Sequence, residues 1–310
     1  MAMQTKPAPS PPAGPAESVA AIGGERERRM VREFYDEVGW RRTDDDDGFE
    51  DARRFDDLRP ETAPYIRDCH LRVAESLERG GTLFLDAASG PVQFSEYLEY
   101  SRGFRHRVCV DLSIRALRQA RALLGERGLY VLADVARLPF RGGTFRAGVS
   151  LSTIYHVPAE DQARAFRELD RVAAPGGRIA VAYSWGKYSA LMLLPDAVPT
   201  KVMSMVRRIR RAPAGNLAKE PPLYFHPHSP FWFQREVAPY VDAEVRVWRS
   251  VSVPFMRWFV PPGPAGRLML RAVFALERRF PRLLGWIGQY PLIVIRGRGA
   301  YHVGPLARFN

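Results

Sequence analysis

Short apolar runs, each closing on a carboxylate or a small polar residue, recur through the middle of the chain. The run 82–87 (TLFLDA) is continuous rather than alternating, as in a strand buried on both faces. It delivers Asp86 into a turn at Ser89-Gly90-Pro91, and 92–101 follows with the spacing of a crossover helix. A second strand, 107–111, ends at Asp111, 25 residues after Asp86, and Ser113 is placed to cap a helix over 113–124. GLYVLADV (128–135) reads as a third strand ending at Asp134, 145–152 as a fourth and 178–185 as a fifth. The segment 160–173 sets Ala163, Phe166, Leu169 and Val172 on one helical face, and Pro175-Gly176-Gly177 forms the next turn. Strands alternating with helices at this spacing predict βαβ units and a parallel sheet.

The flanks follow other patterns. Residues 26–39 have helical spacing, with Met30, Val31, Phe34 and Tyr35 as the apolar set, and a second helix over 63–78 stops at Gly80-Gly81. The acidic run 44–47 lacks the alternating ligand spacing of a calcium loop and reads as a solvated turn. From 187 the chain is rich in Pro, Met and basic residues, as expected of a helical insertion or lid. Residues 244–253 alternate like a strand, 266–280 form a basic amphipathic helix, and 291–297 is a last apolar strand. The two late strands should complete the sheet, antiparallel at one edge.

The expected architecture is α/β: a Rossmann-like, seven-stranded, mostly parallel sheet with helices on both faces. Its parts are a disordered leader (1–25), an N-terminal helical cap (26–80), a core (81–186), an insertion or lid (187–243) and the final strands with the basic helix (244–310). The leader is Pro-, Ala- and Ser-rich and has no apolar stretch of the kind a signal peptide carries.

Charge sharpens this picture at one end. Of the 46 Lys and Arg, 18 lie in 201–310, against 5 of the 34 Asp and Glu, so the net charge of +12 belongs to the last third. An anionic partner or surface is expected there, with a solvated arginine face as the plainer alternative. Cys69 and Cys109 supply neither a disulfide framework nor metal spacing; Cys109 reads as a small buried hydrophobe, and a reducing, cytoplasmic setting follows. No apolar run is long enough to span a bilayer.

An apolar strand that delivers a carboxylate into a small-residue turn is how an open α/β sheet builds a nucleotide site. The series LDAASG, CVDLS, LADVARLPF, a fourth strand, a helix, APGG and a fifth strand resembles the class I S-adenosylmethionine-dependent methyltransferases. It is similar to the quinone-biosynthesis and other small-molecule types, over about residues 70–185. The resemblance implies S-adenosyl-L-methionine as cofactor and S-adenosyl-L-homocysteine as product. It assigns Asp86, Ala88, Ser89 and Gly90 to the methionine end, with Asp86 near the amine. Asp111 takes the ribose hydroxyls, Leu112 packs on adenine, Asp134 accepts from its amine, and Val135 supplies backbone contacts. Leu151 and Ser152 lie near the sulfonium, and Tyr35 resembles a capping tyrosine.

Three departures stand out. Ala88 and Val92 occupy glycine positions of the usual Asp-x-Gly-x-Gly-x-Gly, and Arg146 replaces an acidic residue at the start of the fourth strand. Ala88 is a modest change provided its φ is negative; Val92 implies that the loop has already entered the helix. An NAD-type Rossmann site would need GxGxxG, and 86–94 holds one glycine.

For chemistry, His156 is the candidate base or positioning residue, and Tyr155 and Tyr183 are candidate pocket walls. His226 and His228 are expected on a lid that meets the substrate; no metal is expected. The acceptor is a small or lipid-like molecule. Arg267, Arg271 and Arg278, beside apolar Leu268, Val273, Leu276 and Phe280, suit peripheral contact of 257–286 with an anionic membrane, on its inner surface. An RNA methyltransferase is the runner-up, and a non-catalytic cofactor-binding protein a third reading.

Overall fold

The computed structural model describes residues 24–44, 48–193 and 221–298. The expected leader, most of the acidic run and the centre of the expected lid lie outside these residues. Parallel strands β1 (Gly81–Ala87), β2 (Phe104–Asp111), β3 (Gly128–Leu132), β4 (Phe145–Leu151) and β5 (Ala173–Ala182) join β6 (Ala243–Arg249) and β7 (Tyr290–Arg296) in one sheet. The order is β3-β2-β1-β4-β5-β7-β6. β7 runs antiparallel to both neighbours, so the last strand along the chain is inserted beside β5, and β6 becomes the edge. The strand order reverses between β1 and β4, which opens a crevice at their carboxyl ends.

Strict side-chain alternation divides the sheet between two cores. Phe84, Cys109, Ala147, Val149, Ala180 and Val294 face one; Leu85, Val108, Val110, Ile179, Val181 and Ile293 face the other. On the first face pack α3 (Ala63–Ala74), a 3-10 segment (Ser95–Ser101) and α4 (Ile114–Leu124), with α7 (Val253–Phe259) and α8 (Pro264–Arg279). On the second lie α5 (Gln162–Val172) and α6 (Pro230–Glu236), with Trp286 of α9 (Pro281–Ile287). Sequence signals set several starts: Ser113 caps α4 by accepting from Ala116 N–H at 3.0 Å, and Ser229 and Ser252 cap α6 and α7, each followed by a proline in the first turn.

The expected helix over 92–101 is the clearest local difference. Val92 has φ +59°, a left-handed conformation that a β-branched residue adopts at a cost, and regular structure begins only at Ser95. Val92 therefore ends a loop and does not begin a helix.

The amino-terminal cap consists of α1 (Glu25–Phe34), a π-helical turn (Tyr35–Gly39), α2 (Glu50–Phe55) and α3. Helix α8 is tied down by a buried charge: Glu277 accepts from Tyr65 Oη (2.7 Å), Arg72 Nη2 (2.9 Å) and both Ser250 N–H and Oγ (2.7 and 2.6 Å). A carboxylate so fully bonded can be buried without an unsatisfied lone pair. This orients α8, with Leu270 inward and Leu268 and Leu276 outward. Val273, expected on the outer apolar surface, is instead half-buried against the first core.

Candidate functional site: a carboxylate-edged cleft and an aromatic chamber

At the carboxyl ends of β1–β4 lies a cavity of about 540 Å³, within the usual range for small-molecule sites. Ala88, Ser89, Gly90, Asp111, Leu112 and Asp134 line one part, with Val135, Leu151, Ser152 and Tyr35. The loop after β1 is held against β2: Gly90 N–H donates to Asp111 Oδ2, and Ser113 N–H to Oδ1, both at 2.8 Å. Burial pushes the Asp111 carboxyl up to about 6, against the pull of these two donors.

Ala88, Gly90 and Val92 all have positive φ, at +57°, +54° and +59°. The loop thus keeps at 88 and 92 the backbone that glycine favours, although neither residue is glycine. Ala88 does not meet the negative-φ condition that would make it a modest change. At Gly90 glycine is required twice over, because a Cβ there would lie 2.8 Å from the Trp40 ring. Trp40 stacks on Tyr35 at 4.7 Å between centroids, which lays the cap over this loop.

Asp134 is engaged on both oxygens, by Ala136 N–H on Oδ1 (2.8 Å) and by Arg28 Nε on Oδ2 (2.6 Å). Arg28 also pairs with Asp161 and lines the cavity. Helix α1 is thereby latched beside Asp134, a contact that requires the cap to dock first.

Asp86 is not brought to the cleft. Its side chain points with Phe84 into the first core, where Arg107 donates Nε and Nη2 to Oδ2 at 2.8 and 2.5 Å. Alternation along β1 places Asp86 under the sheet, and the β2 arginine consumes its charge.

The same cavity is also lined by Phe94, Tyr97, Tyr155, Phe225, Trp248 and Tyr290, beside Ser152, which has φ +55°. Its polar groups include Asp51, Arg54, Gln93, His156, Arg257, Gln289 and a buried pair in which Arg249 Nη1 donates to Asp56 Oδ1 at 2.7 Å. Arg249 also lies over the Tyr290 ring at 4.6 Å. His156 Nδ1 is 2.6 Å from the Tyr224 carbonyl oxygen; a carbonyl only accepts, so Nδ1 carries the proton and Nε2 the lone pair. Burial lowers the ring to about 4, with the Tyr224 bond opposing, so it is neutral at pH 7.

Tyr183, His226 and His228 do not line the cavity, contrary to expectation. Tyr183 Oη donates to Gln162 Oε1 (2.7 Å) and accepts from His228 N–H (2.9 Å), which pins the 221–229 stretch onto α5. The His228 ring stacks on Trp232 at 3.9 Å. From that stretch Leu223 and Phe225 reach the cavity instead. Trp40, Asp51, Gln93 and Arg249 carry no motif; the docking of the cap and of β6 brings Trp40, Asp51 and Arg249 here, and the loop after β1 brings Gln93. Among the described residues no three His, Cys, Asp or Glu side chains gather as metal ligands.

Residues 85–181 match the family described as "Methyltransferase domain". Among solved structures the chain is similar to a geranyl diphosphate C-methyltransferase from Streptomyces coelicolor A3(2), in complex with Mg2+, geranyl diphosphate and S-adenosyl-L-homocysteine. That likeness has 16% identity, covers 87% of this chain and 97% of that one, and has a TM-score of 0.48. It is also similar to the [4+2]-cyclase SpnF (16% identity, 76% and 82% covered, TM-score 0.47). A third is phosphoethanolamine N-methyltransferase 2 from Haemonchus contortus, in complex with S-adenosyl-L-methionine (13% identity, 74% and 52% covered, TM-score 0.45). Over residues 85–181, then, the chain is similar to the methyltransferase-domain family.

Proposed function

We propose that the protein transfers a methyl group from S-adenosylmethionine to oxygen or carbon of a small, lipophilic acceptor. The observation that carries this reading is the continuity of one cavity from the Asp111–Asp134 edge into the aromatic chamber at Tyr155 and Trp248. The cleft fits a nucleoside cofactor. Each Asp111 oxygen has one backbone donor and a second lone pair to offer a ribose hydroxyl. Asp134 has a remaining lone pair on each oxygen for an adenine amine, beside Arg28. Leu112 and Val135 would flank the base, and Leu151 and Ser152 the sulfur.

The bound sulfonium supplies an activated methyl group for an in-line displacement. The protein aligns the acceptor, and the aromatic walls exclude water from it. His156, neutral and fixed in one tautomer, would accept a proton at Nε2 from an acceptor hydroxyl or acidic carbon, or hold that group in line.

Peripheral contact with an anionic membrane completes the reading and would place the enzyme at the inner surface of a membrane. Leu268 (68% exposed), Leu276 and Leu283 (both 56%) stand out from α8 and α9 among exposed Arg267, Arg271 and Arg279. Leucines interleaved with arginines suit a lipid surface better than an RNA backbone. Trp286, by contrast, is stacked on buried Trp185 and takes no part.

The test is transfer of isotopically labelled methyl from the cofactor to a panel of phenolic and prenyl-chain acceptors. Label is expected in the solvent-extractable product. Label that enters RNA and no small acceptor would replace this reading with the nucleic-acid one.

A further inference from the structure

Because Asp86 is sealed against Arg107, the amino-acid end of the cofactor lacks the carboxylate the family pattern assigns to it. The same cleft holds polar atoms with no partner. Gln93, three residues past Gly90, donates Nε2 to Asp51 Oδ2 at 3.0 Å, while its Oε1 is buried and bonded to nothing among the described residues. The Trp40 indole Nε1 is likewise buried and unbonded, on the ring that covers Gly90. Asp51 lines the cavity and has no ion-pair partner among the described residues. Burial is the main influence on its carboxyl and pushes it up to about 6.

Buried polar groups are normally satisfied, so the unbonded Gln93 acceptor and the unbonded Trp40 donor, beside an Asp51 carboxylate bonded by Gln93 alone among the described residues, call for a ligand of the opposite pattern. An amino-acid zwitterion has it: an ammonium for the acceptors and a carboxylate for the donor. The location agrees. Asp134, Asp111 and the 88–93 loop follow one another along the ends of β3, β2 and β1, which leaves the loop for whatever lies beyond the ribose. Asp51, Tyr35 and Asp111 line the same cavity.

We propose that Asp51 with Gln93 binds the ammonium, and Trp40 Nε1 the carboxylate, of the cofactor's methionine moiety, so that the amino-terminal cap supplies this subsite in place of β1. This rests on the cofactor reading above.

Calorimetry with two ligands tests it: S-adenosylhomocysteine, and 5′-methylthioadenosine, which keeps the adenosine and sulfur but lacks the amino-acid end. Asp51→Asn is expected to weaken S-adenosylhomocysteine about ten- to hundred-fold and 5′-methylthioadenosine less than about twofold. Trp40→Phe should weaken only the first ligand, roughly tenfold. Equal losses for both ligands, or unchanged S-adenosylhomocysteine affinity in Asp51→Asn, overturn the assignment. A wild-type protein that binds neither ligand removes the cofactor reading and this inference with it. Thermal melting verifies that Asp51→Asn is folded; should it not be, Gln93→Leu, judged by the same two outcomes, replaces it.

Discussion

Arg107, on β2, holds Asp86, on β1, through both Nε and Nη2, with each side chain at most 5% exposed. The pair fastens neighbouring strands beneath the site and takes no part in its lining. Removing one member leaves a charge buried and alone. Arg107→Met should therefore cost about 3–5 kcal/mol in urea unfolding. A loss under about 1 kcal/mol would show that the pair is not a structural tie.

Ala88 bears the cost of a left-handed backbone that glycine would not incur. Ala88→Gly should stabilise the protein by about 1 kcal/mol, read from denaturant midpoints. Val92→Gly should not, although its φ is the same, because the buried valine side chain would leave a void in the first core. If both substitutions destabilise alike, the strain is not local to the loop.

Asp51 and Asp111 each titrate near 6 in the folded protein, above the usual carboxylate range. Between about pH 4 and 6 the folded state then binds more protons than the unfolded one, so stability should fall as pH rises through that window and level off above it. Thermal melting of the ligand-free protein at pH 5 and pH 7.5 measures this. The difference should shrink, on the order of 1 kcal/mol, in Asp51→Asn.

His156 is held neutral down to about pH 4. If it removes a proton, His156→Gln should lower kcat about a hundredfold or more with S-adenosylhomocysteine affinity unchanged. Activity of the wild type should show no acid limb from this group above pH 5. Full turnover in His156→Gln would assign the ring to cavity shape alone.

Leu276 and Leu283 offer a direct probe of membrane contact. The double substitution to Asp should abolish co-sedimentation with vesicles of anionic lipid while leaving methyl transfer to a water-soluble acceptor intact. Equal binding of wild type and variant would remove the surface from consideration.

Much of the scaffold is legible in the sequence. The apolar runs at 82–87, 107–111, 128–135, 145–152 and 178–185 each hold a strand, although β3 stops at Leu132 and β5 begins at Ala173, ahead of the expected turn at 175–177, and Ser113 caps its helix, because these properties depend on neighbours along the chain. The cleft edge at Asp111 and Asp134 was readable for the same reason, since a residue that ends a parallel strand must stand at the carboxyl edge of the sheet. Tyr183, His226 and His228 pack outside the cavity lining, since aromatic and imidazole side chains suit a packed loop as well as a pocket. Their hydrogen bonds to Gln162 and to the 159–161 turn belong to that packing.

What the sequence by itself determined is the order of strands and the carboxylates that close them, because side-chain period and burial are local. What only the tertiary structure decided is which charge faces which. Arg107 meets Asp86 across 21 residues, and Gln93 meets Asp51 across 42. Such pairings depend on strand register and on how the cap docks, and neither leaves a trace in local spacing. The left-handed backbone at Ala88 and Val92 belongs with them, for there the contacts around the loop override the residues' own preference.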